Sequence, residues 1–161
     1  MAVAAVHELV SELDYPMFIV TVAAGGEWAG CLVGFATQCS INPPRFLICL
    51  SDKNHTFRVA SRAELLVVHL VPEHADALAE LFGSKTGDEI DKFEHASWTP
   101  GPGGTPVLDE CGNWFAGRIL ERLPAGDHWA FLLDPVEAAS GVGEGTFTFR
   151  RARCIEPGHE A

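Results

Sequence analysis

Positive charge is scarce in this chain: 11 Lys and Arg stand against 22 Asp and Glu over 161 residues, a formal net charge of −11. Such a field repels nucleic-acid phosphates and anionic lipid surfaces, so neither is expected as a partner. A small anionic ligand remains possible, because a local cluster of donors can outweigh the global field. Long apolar runs are missing too. Met17 to Gly25 and Ala63 to Pro72 are too short to span a bilayer. The opening segment carries Glu8, Glu12 and Asp14 where a signal peptide would be basic. Cysteine pairs are absent as well: Cys31, Cys39, Cys49, Cys111 and Cys154 are odd in number and never spaced C-x-x-C. Free thiols in a reducing cytoplasm are expected.

Several chemical signatures are lacking. The seven histidines (His7, His55, His69, His74, His95, His128, His159) never form H-x-x-x-H or pair with cysteine at ligand spacing, so no metal site is expected. There is no G-x-S-x-G elbow, no P-loop and no glycine-rich dinucleotide loop after a strand.

What is present is an ordinary globular balance, 47% apolar and 20% charged. Residues 1–161 read as a single domain, long enough to bury roughly 70% of its unfolded surface without a staple. Val6, Leu9, Val10 and Leu13 recur at helical spacing up to Pro16. Strands are expected over Met17 to Val22 and Trp28 to Thr37, joined by a turn at Gly25-Gly26. Asn42-Pro43-Pro44 breaks the pattern before a buried strand, Phe46 to Leu50. A short helix from Asn54 to Arg62 and a strand from Leu65 to Leu70 follow. Pro72 to Phe82 carries an apolar stripe of Ala75, Leu78, Ala79 and Phe82, with Gly83 placed to stop the helix. Thr99 to Thr105 reads as a loop. Trp114 to Leu123, His128 to Leu133 and Thr146 to Arg153 all read as strands. Many short strands with few helices predict a mainly β fold, an antiparallel Greek-key-like barrel with helical additions.

Two polar runs are spaced about one strand apart, Ala36 to Ser40 and Ser51 to Thr56. Loops at the same end of adjacent antiparallel strands converge. Lys53, His55, Thr56 and the N–H groups of a helix start would then make a phosphate cradle. The other reading, left open by residue types alone, is a turn in which Asn54 caps the helix. His69, between Val68 and Leu70, reads as a satisfied strand residue. Trp98, Trp114 and Trp129 read as packing, and Cys39 has no basic neighbour to activate its thiol.

Gly30-Cys31-Leu32-Val33-Gly34-Phe35-Ala36-Thr37-Gln38-Cys39-Ser40-Ile41-Asn42-Pro43-Pro44 resembles the signature of the flavin reductase-like family, the FMN-binding split barrels. The likeness continues in order through Lys53-Asn54-His55-Thr56, Leu78 to Gly83, Asp91-Lys92-Phe93, Pro106-Val107-Leu108, Gly126-Asp127-His128 and Phe149 to Arg153. It covers about residues 13–153. The resemblance implies a homodimeric split barrel that holds FMN or FAD near the subunit interface and reduces it with NADH or NADPH. Members often supply reduced flavin to a separate monooxygenase. By the same resemblance Leu32, Val33 and Gly34 would border the flavin ring, and Gln38, Cys39 and Ser40 its ribityl chain and phosphate. Lys53, Asn54, His55 and Thr56 would hold the phosphate, and Phe82 would lie beside the ring. Gly126, Asp127 and His128 would bind the nicotinamide, with His128 the catalytic candidate through orientation.

The chain departs from the family pattern in places. Leu32-Val33-Gly34 stands where the family has Thr-Ala-Asn/Ser, removing two side-chain donors, and Gln38 and Lys53 replace serines. A more apolar ring pocket also suits an oxidoreductase that retains its flavin, or a deazaflavin, and reduces its own substrate. A non-enzymatic flavin-binding dimer module is a further alternative.

Overall fold

The computed structural model describes residues 2–84, 90–141 and 143–156. Its first helix, α1 (Ala2–Ser11), leads into a hairpin of β1 (Phe18–Ala24) and β2 (Glu27–Val33). Both turn residues have positive φ, Gly25 at 59° and Gly26 at 78°. That is the twist a tight two-residue hairpin needs and that L side chains resist. After β3 (Ala36–Ser40) and β4 (Arg45–Ser51) come α2 (His55–Ala60), β5 (Leu65–Leu70) and α3 (Asp76–Ser84). A small hairpin of β6 (Trp98–Pro100) and β7 (Pro106–Leu108) precedes two long strands, β8 (Trp114–Pro124) and β9 (His128–Ala139). The last element is a single helical turn, α4 (Phe149–Ala152).

Seven strands form one sheet in the order β2-β1-β5-β8-β9-β4-β3, and every neighbouring pair is antiparallel. The fold is mainly β, as the patterning predicts. The sheet curls without closing. Its two edge strands, β2 and β3, are consecutive in the chain, and the Cys49 N–H donates to the Phe35 carbonyl at 2.8 Å beside the gap between them.

Alternation along β1 divides the apolar residues between two cores. Phe18, Val20 and Val22 join Ile48, Leu50, Leu66, Val68, Phe131 and Leu133 inside the curl. Ile19 points outward to a second cluster with Phe82, Phe93, Leu108 and Phe147, beneath α3. The strand is buried on both faces, and its one polar side chain, Thr21, donates to the Pro106 carbonyl at 2.6 Å. Among the described residues, no helix is long and apolar enough to cross a membrane.

Four expected elements are corrected. Trp28 to Thr37 is two strands, broken at Gly34-Phe35 where the chain crosses from one sheet edge to the other. The helix expected from Pro72 begins at Asp76 and runs through Gly83 to Ser84. A Cβ on Gly83 would sit 2.9 Å from Leu32 Cδ2, so this glycine permits close packing of α3 on β2 and does not end the helix. The first helix lies earlier, from Ala2 to Ser11. Thr146 to Arg153 is not a strand: one bridge, Pro16 to Thr148, gives way to α4. The carboxylate of Asp14 accepts the Arg150 N–H at 3.0 Å, a helix-start partner supplied from the far end of the sequence.

Candidate functional site

A cavity of about 620 Å³ opens where the curled sheet fails to close. Cys31 to Phe35 form one wall, Cys49 to Ser51 of β4 another, and Phe82 and Gly83 at the end of α3 a third. Tyr15 and Phe149 stack with ring centroids 4.7 Å apart and an interplanar angle of 16°, closing a further side. The size and mostly apolar lining suit a flat aromatic ligand. Gly34 lets Tyr15 and Met17 pack closely against the wall, since a Cβ there would meet Tyr15 Cε2 at 2.9 Å and Met17 Sδ at 3.2 Å.

Polar groups gather at one edge. β4 and β9 pair Ser51 with His128, and the Asp52 N–H donates to the Asp127 carbonyl at 3.1 Å. His128 Nδ1 lies 2.7 Å from Asp127 Oδ1. An ionised carboxylate only accepts, so Nδ1 is the donor in this contact and Nε2 is left to face the cavity edge. The hydrogen bond and charge of His128 hold the Asp127 carboxyl below the usual carboxylate range, with Lys53 adding to the effect. The His128 ring packs 5.1 Å from that of Phe35. Burial pushes the Cys31 and Cys49 thiols up, so these two wall residues are protonated at neutral pH and do not act as nucleophiles.

The structure brings Leu32, Val33, Gly34, Asn54, Phe82, Asp127 and His128 together around this one cavity. The other sequence candidates lie elsewhere. Gln38, Cys39 and Ser40 sit on edge strand β3, where the Gln38 amide donates to the Ser40 carbonyl at 3.1 Å. Gly126 forms the turn before β9 with φ 89°. Lys53 is exposed beside the polar edge. His55 turns to the opposite side of β2, its Nε2 3.2 Å from Glu27 Oε1. Thr56 is buried, its hydroxyl hydrogen-bonded to the Cys31 thiol. The Asn54 side chain accepts the Thr56 N–H at 2.9 Å, so it caps α2 and also borders the cavity.

Sequence reading missed Tyr15, Phe35, Ser51, Phe149 and Arg153 as cavity residues. The aromatic and basic Phe149 to Arg153 segment was a usable signal, but reading it as a strand hid which side chains turn inward. The bland readings of other residues hold. His69 is buried and bonded at both ring nitrogens, to the Ile19 carbonyl at 2.9 Å and from the Leu108 N–H at 3.0 Å. Trp98 packs edge-on to Trp28 and Phe93, and Trp129 packs on Phe57.

Comparison with known proteins agrees with this geometry. The family model described as flavin reductase like domain matches residues 10–154. A probable flavin reductase of Rhizobium meliloti is 26% identical over 142 residues, which is 86% of this chain and 44% of that protein. An FMN reductase (NADH) of Rhizobium rhizogenes is 32% identical over 118 residues, 71% of this chain and 68% of the relative. Among solved structures, an NADH:FAD oxidoreductase of Streptomyces globisporus superposes with a TM-score of 0.83 at 20% identity, covering 91% of this chain and 87% of that one. A flavin reductase structure from Haemophilus somnus gives a TM-score of 0.83 at 21% identity, covering 93% and 96%. The chain spans less than two thirds of the length of some curated relatives, 44% of the Rhizobium meliloti protein and 61% of an FMN reductase (NADH) of Bradyrhizobium diazoefficiens.

Proposed function

Since the chain belongs to the flavin reductase-like domain family, we propose that it is an NAD(P)H-dependent flavin reductase that binds FMN or FAD in this cavity and passes reduced flavin to a partner monooxygenase. The observation that carries the proposal is the convergence of a ring-sized apolar cavity with the Asp127–His128 pair at its edge. Bound flavin would supply the hydride-accepting ring, and NADH or NADPH the hydride.

The protein's share is then binding, orientation and exclusion of water. Leu32, Val33 and Phe82 would enclose the faces of the ring. Backbone N–H groups between Val33 and Cys39 would meet its polar edge, where charge develops on reduction. Lys53 and Asn54 would face the phosphate, with Gln38, Cys39, Ser40, His55 and Thr56 as further candidates from the family pattern. His128, fixed by Asp127, would set the nicotinamide against the flavin, and proton transfer is not required of it.

A homodimer belongs to the same proposal. Val3, Val6, Leu9 and Val10 on α1 are all exposed, and that helix buries none of its own residues. Phe35 and Ile41, 56% and 85% exposed beside the open sheet edge, extend the apolar surface. A second copy would cover both. The five free cysteines support a cytoplasmic location.

The apolar wall at Leu32 and Val33 favours one second reading, an oxidoreductase that keeps its flavin, or a deazaflavin, and reduces its own substrate. Absorption spectra of the purified protein, alone and titrated with FMN, FAD and NAD(P)H, separate the two. Weakly held flavin with rapid NAD(P)H oxidation is the reductase result. Flavin retained through reduction is the second reading, and no flavin binding at all refutes both.

A further inference from the structure

Lys92 is 4% exposed, although lysine is among the residues least often buried. Its Nζ donates to the Gly30 carbonyl at 2.9 Å and to the Phe82 carbonyl at 3.0 Å, and lies 5.5 Å from the centroid of the Phe82 ring. None of the ion pairs among the described residues gives it a carboxylate. Among the described residues its partners are these two backbone carbonyls and an aromatic face. Burial pushes its pKa below the ordinary lysine value.

Its position explains why such a costly group is tolerated. Gly30 lines a second cavity of about 370 Å³, together with Glu27, His55 and Lys92 itself. The next residue, Cys31, lines the large cavity, as does Phe82. Lys92 therefore sits in the partition between the two cavities. Phe82 packs so tightly on β2 that a Cβ on Gly30 would meet its Cε1 at 2.8 Å. The two carbonyls held by Lys92 belong to the strand and the helix that make two cavity walls.

We propose that Lys92 is a positioning residue for the cavity, fixing β2 to α3 and placing one buried positive charge behind the wall so that reduced flavin is favoured over oxidised flavin. The inference rests on the flavin reading above. A ring that has accepted a hydride carries one more negative charge than the neutral oxidised ring. The other cations at the site, Arg153 on the lining and Lys53 beside the polar edge, are exposed and screened by solvent, and Asp127 is acidic. A charge inside the protein acts through a lower effective dielectric than one in water, and salt screens it less.

The test compares the full-length protein with Lys92→Gln, which keeps two N–H donors without the charge, and with Lys92→Met, which keeps neither. Oxidised FMN affinity is read by fluorescence quenching, and the midpoint potential of bound FMN by equilibration with redox dyes. Both variants are expected to lose about tenfold in affinity for reduced relative to oxidised FMN, which lowers the bound potential by about 30 mV for two electrons. The Gln variant is expected to keep its oxidised FMN affinity within about threefold, because the neutral ring does not sense the charge. An unchanged potential in either variant that binds FMN overturns the proposal and leaves Lys92 as a purely mechanical tie. Should both variants fail to fold, the unsubstituted protein decides: its bound FMN must be reduced at a higher potential than free FMN, and a lower one overturns the charge assignment. Failure of the unsubstituted protein to bind FMN or FAD is a different result, which refutes the flavin reading itself.

Discussion

Acidification offers a sharp test of the packing between the sheet and the small hairpin, through His69. The ring is fully buried, donates from Nδ1 to the Ile19 carbonyl and accepts the Leu108 N–H at Nε2. A proton added to Nε2 would turn two donors toward each other in a dry space. Burial accordingly pulls the pKa from 6.5 to about 4. The unfolded chain then binds a proton that the folded chain refuses, so the stability associated with neutral His69 is fully present above pH 6.5 and falls as the pH drops toward 4. The whole gap corresponds to about 3 kcal/mol, of which about 2 kcal/mol is lost by about pH 5. The carboxylates whose pKa is depressed, Asp14, Asp109 and Asp127, act below their ordinary value of 3.8 and lie outside this window. Urea unfolding at about pH 7.5, 6 and 5, at one protein concentration, is expected to show the loss in the natural protein. His69→Gln, whose amide can also donate and accept, is expected to be less stable at neutral pH but about 2 kcal/mol less sensitive to acid. Parallel pH profiles for the two proteins would refute the reasoning, since all other titrating groups are common to both.

His128→Ala is expected to lower NAD(P)H-dependent turnover by about tenfold to a hundredfold while flavin affinity moves less than about threefold; steady-state kinetics beside a flavin titration check the split. Lys53→Ala is expected to weaken FMN by about tenfold, leave riboflavin unaffected and flatten the salt dependence of FMN binding, as calorimetry at two ionic strengths would show. Paired substitution of Val6 and Leu9 by Asp is expected to dissociate the proposed dimer without unfolding the subunit, because α1 contributes no buried residue to its own core. Sedimentation and a melting curve together check that outcome.

The sequence makes legible whatever depends on neighbours along the chain. The β1/β2 hairpin follows from an apolar run, a Gly-Gly pair and a second run. The buried strand β4 and the capping role of Asn54 follow from equally local cues. Elements that depend on a distant partner were out of reach. The break at Gly34-Phe35 exists because the sheet curls and its two edges must be joined there, which no local preference records. The turn of α4 has its cap from Asp14, and Gly83 is chosen by the side chain of Leu32, so both were assigned by local rules that tertiary packing overrides. The candidate site divides along the same line. Residues on strand ends, such as Leu32 and His128, line one cavity. Gln38, Cys39 and Ser40 occupy an edge strand away from the cavity of a single chain.

The Tyr15–Phe149 stack has a consequence for how the protein comes into being. Around it the Met17 N–H donates to the Phe147 carbonyl and the Phe149 N–H to the Tyr15 carbonyl, both at 2.9 Å. One side of the cavity is therefore a seam between segments that lie far apart along the chain. While a ribosome is still extending the chain, the curled sheet has an open trough there, with Tyr15 and Met17 waiting for a partner that has not been synthesised. Closing so long a loop is slow, because ordering entropy must be lost before the contact repays it. The ligand chamber is complete only once that long loop has closed, and a ligand that bridges the seam would act as its own folding aid by holding Tyr15 and Phe149 together.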